Sequence, residues 1–101
     1  MPSFTRADVQ FLHTCCQLYT KDGLRRPKEF PRVSPGMQNN LMRSALRKLS
    51  SAFSTEELTQ AEAIVLCMAV TDVVQHYEVE CDLSALEKMY DQLAARAATP
   101  D

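Results

Sequence analysis

His13, Cys15 and Cys16 fall within four residues of one another, and these side chains are the natural candidates to hold a metal ion or supply a nucleophile. Helical spacing separates them. His13 and Cys16, three positions apart, share a face, while Cys15 points elsewhere. The chain contains no Cys-x-x-Cys and no His-x-x-x-His pair, so a zinc site would have to gather its ligands from several helices. A Cys–His nucleophile, Cys16 with His13 or Cys81 with His76, would also need an oxyanion site and a substrate cavity. The two glycines, Gly23 and Gly36, lie together in one stretch, so no glycine-rich turn stands elsewhere to build such a site. Among the carboxylates, Glu56 and Glu57 read as first-turn residues that complement a helix dipole. Glu78, Glu80 and Asp82 crowd into a turn but lack the alternating Asp and the Gly of a calcium loop. The expectation is a protein without catalytic residues, metal or cofactor.

Charge is where the chain departs from the ordinary. Its 101 residues hold 11 Lys and Arg against 13 Asp and Glu, for a net charge of −2. Residues 1–50 carry nine basic and three acidic side chains, a balance of +6, whereas residues 51–101 carry two basic and ten acidic, a balance of −8. The basic excess concentrates between Lys21 and Pro35, where Lys21, Arg25, Arg26, Lys28 and Arg32 face only Asp22 and Glu29. Pro27, Pro31 and Pro35 stiffen this stretch, which lowers the entropy lost on binding, and connections this long often carry function. Leu24, Phe30 and Val33 supply apolar anchors. The plainer alternative is a belt packed over the bundle by those three residues, its cations merely solvated.

Beyond the loop, Arg43 and Arg47 are i,i+4 neighbours with Lys48 beside them. The expected partner-binding set is therefore Lys21, Arg25, Arg26, Lys28, Phe30, Arg32, Arg43 and Arg47. Its expected partner is the acidic protein surface of a larger assembly, cytoskeletal polymers included, and neither a membrane nor a small-molecule substrate. Nucleic acid is the alternative for the same basic surface. A sequence pI near 5.6 weighs against it, because nucleic-acid-binding domains more often exceed ~9.

Four helices must position these residues. Helix breakers cluster between Gly23 and Gly36, and long uninterrupted stretches flank them. Thr5 with Asp8 forms a capping box, and Phe4 with Val9 a hydrophobic staple, at the start of a helix over about 5–21 that Gly23 would end in a left-handed turn. Ser34 and Pro35 open a second helix, 35–52, with an apolar stripe of Leu41, Met42, Ala45, Leu46, Leu49 and Phe53. Ser54 with Glu57, flanked by Phe53 and Leu58, opens a third over 55–78. Its run from Ala63 to Val70 is apolar on every side, as in a helix surrounded by others. Asp82 or Ser84 caps the fourth, 83–97, whose seam is Leu83, Leu86, Tyr90, Leu93 and Ala97, followed by a frayed tail at 98–101.

The expected architecture is a single all-α domain, a four-helix antiparallel bundle with a long Pro-containing basic loop between helices 1 and 2. Its longest apolar run, eight residues, falls short of the roughly 20 that a membrane span requires. No secretory signal is expected, because Arg6 and Asp8 come before any apolar stretch develops. Four cysteines without a paired framework suit a reducing compartment, so an intracellular, cytoplasmic location is expected.

Overall fold

The computed structural model describes residues 4–25 and 34–101. They form α1 (Arg6–Lys21), a 3-10 turn (Gly23–Arg25), α2 (Pro35–Ala52), α3 (Gln60–His76) and α4 (Leu83–Ala97), with no strand among the described residues. None of these helices is long and apolar enough to cross a membrane.

Local chemistry sets most helix ends. Thr5 Oγ1 accepts from Asp8 N at 3.0 Å while Asp8 Oδ2 accepts from Thr5 N at 2.9 Å, closing the capping box of α1. Phe4 and Val9 are both buried beside it. Ser34 caps α2 through Met37 N, with Pro35 in the first turn, where its missing N–H costs nothing. Asp82, not Ser84, caps α4, accepting from the backbone of Ser84 and Ala85.

Two local expectations are corrected. The third helix does not begin at residue 55: residues 53–59 form a turn, and α3 starts at Gln60 behind Thr59, whose capping box is with Glu62. Ser54 and Glu57 have the same spacing, but Glu62 also receives Lys48 from α2, so the later box satisfies one more charge. Glu56 and Glu57 consequently lie in the turn rather than in a helix. Gly23, secondly, is not left-handed. It is required because a β-carbon there would stand 2.2 Å from Tyr19 Cδ1 and 2.6 Å from Asp72 Oδ2. The left-handed residue among those described is Phe53 (φ 53°), which ends α2 and donates its N–H to Leu49 O. That conformation costs a non-glycine residue about 1–2 kcal/mol. Packing of the Phe53 ring against the core and the 2.9 Å bond from Phe4 N to Phe53 O oppose the cost.

The core is one cluster to which every helix contributes, and α3 contacts each of the other three. Leu12, Cys15 and Tyr19 from α1, Met42, Ala45 and Leu49 from α2, Ala63, Leu66 and Ala69 from α3, and Leu93 from α4 are buried in it. The encirclement of α3 is incomplete, however, because Ile64 is 42% and Val74 47% exposed. The seam of α4 is also shifted. Leu83 stands 72% exposed, while Met89, absent from the expected stripe, is buried.

Polar links run between elements at stated positions. Tyr19 OH donates to Gln38 Oε1 at 2.7 Å inside the fold, near the end of α1 and the start of α2. His13 Nε2 lies 3.4 Å from Ser50 Oγ, near the end of α2. Gln60 Nε2 donates to Ala97 O, and the hydroxyls of Thr71 and Tyr90 meet at 3.2 Å. No buried side-chain nitrogen or oxygen among the described residues lacks a partner, as a stable interior requires.

Candidate partner-docking surface

Arg43 and Arg47 project from one exposed face of α2, a turn apart. Neither forms an ion pair among the described residues. Lys48, the third cation of that helix, behaves differently. Its Nζ donates to Glu62 Oε1 at 2.8 Å, and the Glu62 side chain is only 3% exposed. Burial opposes ionisation of Glu62. The Lys48 and Ser44 hydrogen bonds, the Thr59 N–H and the Lys48 charge together outweigh it and hold the carboxyl below its usual range. Lys48 is thus a structural residue, while Arg43 and Arg47 form no ion pair among the described residues.

A groove of about 300 Å³ runs between α1 and α2, with Arg43 in its lining. Cys16, Met42 and Leu46 give it an apolar floor, and Gln17, Thr20, Asn39 and Arg43 a polar edge. Lys21 follows Thr20 in the last turn of α1, exposed and placed to offset the carboxyl end of the helix dipole. Arg25 closes the 3-10 turn. Arg26, Lys28, Phe30 and Arg32 lie outside the described residues, as do Pro27, Pro31 and Val33. Leu24 packs against the core. Of the expected set, the structure therefore puts Arg43 in the groove lining, Arg47 one turn along the same exposed face of α2, and Lys21 in the last turn of α1. The groove itself, with Gln17 and Asn39, had no signal in composition or charge; only the pairing of α1 with α2 creates it.

The thiol chemistry raised by the sequence meets a physical obstacle. Burial, and then the proximity of Cys15, pushes the Cys16 thiol up to about 12. Burial, and then Cys81, does the same to Cys15. At neutral pH both remain protonated, and a protonated thiol is a poor nucleophile and a poor metal ligand. Among the described residues no group of three or more His, Cys, Asp or Glu side chains is placed to hold a metal ion.

At the foot of the connection, Tyr77 OH donates to Asp22 Oδ2 at 2.5 Å, and Gly23 packs under Tyr19 and Asp72. These contacts hold the 3-10 turn against α1 and α3. No family model, curated protein or solved structure matches the chain.

Proposed function

We propose that this chain is a non-enzymatic helical adaptor, a subunit of a larger protein assembly that docks the α2 face and the adjoining basic connection on an acidic protein surface. The observation that carries the reading is the division of the α2 cations. Lys48 is committed to Glu62, whereas Arg43 and Arg47 stand exposed with no ion pair among the described residues. Arginine is suited to this task because its planar guanidinium grips carboxylates in a bidentate fork. The neighbouring groove gives such a partner a place for an apolar side chain between its carboxylates, which supplies affinity that exposed ion pairs alone do not. Arg25, Arg26, Lys28 and Arg32 extend the basic field, with Phe30 as an added anchor.

The bundle that presents this face is read as antiparallel. The pairing of Tyr19 with Gln38 and of His13 with Ser50 supports that for α1 and α2. Gln60 with Ala97 and Thr71 with Tyr90 support it for α3 and α4.

The test uses immobilised wild-type protein and an Arg43→Glu/Arg47→Glu variant, with proteins retained from native extract at low salt and eluted at high salt. Short duplex DNA and single-stranded RNA are assayed in parallel. Retention of a salt-eluted acidic protein by the wild type alone is the expected result. Equal retention by the variant would overturn the reading, and binding of nucleic acid in place of protein would transfer the surface to the alternative partner.

A further inference from the structure

A second groove, of about 320 Å³, lies between α3 and α4, and its chemistry is the opposite of the first. Val70, Val74, Leu86 and Tyr90 make it apolar, and Glu87 and Asp91 line it from α4. Val74, in the last turn of α3, is 47% exposed although it is β-branched and apolar. Leu83, on the same stripe as Leu86 and Tyr90 at i, i+3 and i+7, is 72% exposed. The Thr71–Tyr90 hydroxyl contact holds the Tyr90 ring to α3. Glu87 and Asp91 are exposed and make no ion pair among the described residues, Lys88 on the same helix included.

From this we infer that the α3–α4 groove is a second docking site, whose occupant is an amphipathic helix of a partner protein carrying an apolar stripe flanked by Lys or Arg. The apolar lining sets the stripe, because burying Val74 and Leu86 is favourable in proportion to the area they lose to water, and exposed Leu83 continues the α4 stripe. The acidic pair sets the flank. Carboxylates one turn apart repel each other slightly as they stand, and an incoming cation relieves this while an incoming anion adds to it. A groove between two helices receives a third helix through side chains at i, i+4 and i+7. The site shares no residue with the α2 face and does not rest on its function. A chain with both would bridge a basic and an acidic partner.

The probe is a labelled synthetic amphipathic peptide of about five helical turns, Leu on one face and Lys on its flanks, with a second peptide in which every Lys is Glu. Fluorescence anisotropy measures both against the wild type, an Arg43→Glu/Arg47→Glu variant and a Glu87→Lys/Asp91→Lys variant, and sedimentation reports self-association. The Lys peptide should bind the wild type and the α2 variant alike, weaken with salt, and exceed the Glu peptide by about tenfold or more. The Glu87→Lys/Asp91→Lys variant should reverse that preference, a gain that misfolding cannot mimic. Absence of binding by the Lys peptide, equal binding of both peptides, or an unreversed preference would overturn the inference. So would a wild-type dimer that Glu87→Lys/Asp91→Lys dissociates, since the groove would then belong to a second copy of this chain.

Discussion

Lys48 Nζ and Glu62 Oε1 meet at 2.8 Å across the contact between α2 and α3, with the carboxylate almost sealed from water. The pair has two consequences. It fixes the start of α3, because the same Oε1 accepts Thr59 N at 2.8 Å. It also withdraws Lys48 from the basic face, leaving Arg43 and Arg47 to define it.

Glu62→Gln should lower stability at neutral pH by about 1.5–3 kcal/mol, the usual range for a hydrogen bond to a charged group. Because the Glu62 carboxyl is held below its ordinary value, its contribution is present above the unfolded-state value of about 4.3 and is lost as pH falls through the folded one. Urea unfolding of wild type and variant should therefore show a gap at neutral pH that closes on acidification. A gap that persists in strong acid would contradict this account of the pair.

The four thiols should separate by reactivity. Cys81 is exposed, and alkylation of the native protein at neutral pH should modify it first. Burial pushes the Cys67 thiol up to about 11, and Cys15 and Cys16 up to about 12, so the last two should react only on unfolding. Mass spectrometry of timed digests reads the order, and equal rates for all four would refute it. Raised thiol values stabilise the fold below the unfolded-state value near 8.5 and cease to do so as pH climbs toward the folded one. Stability should accordingly fall between about pH 9 and 12, by about 1.4 kcal/mol per pH unit for each thiol that ionises only when unfolded.

Gly23→Ala should destabilise although Ala is ordinarily the better residue outside a left-handed turn. The added carbon would meet the Tyr19 ring and the Asp72 carboxylate, and overpacking of this kind costs about 1–3 kcal/mol. Thermal unfolding measures it, and an unchanged or raised midpoint would show that Tyr19 yields without cost.

What the sequence reveals divides between local and non-local causes. The Thr5–Asp8 box and the Ser34–Pro35 start are legible because each is settled within four residues, whereas local spacing narrows the α4 cap only to Asp82 or Ser84. The start of α3 is not legible: Ser54–Glu57 and Thr59–Glu62 have equal spacing, and the choice depends on Lys48, fourteen residues before Glu62. Gly23 misleads because its constraint is steric, from the Tyr19 ring four residues earlier and from Asp72 on another helix. Arg43 and Arg47 are legible as a face from their spacing alone, but nothing in that spacing separates them from Lys48. The exposure of Val74 and Ile64 within a nearly continuous apolar run is decided by where the other helices pack.

Arg43 and Arg47 are proposed to bind an acidic partner rather than to serve the fold. The most direct measurement titrates a labelled amphipathic peptide bearing Glu and Asp around one Leu or Phe anchor against wild type and Arg43→Glu/Arg47→Glu, with thermal unfolding recorded for both. The account requires salt-sensitive binding by the wild type, an affinity about tenfold or more lower in the variant, and unfolding midpoints that agree. Undiminished binding by the variant, or a loss of binding matched by a loss of stability, would contradict it.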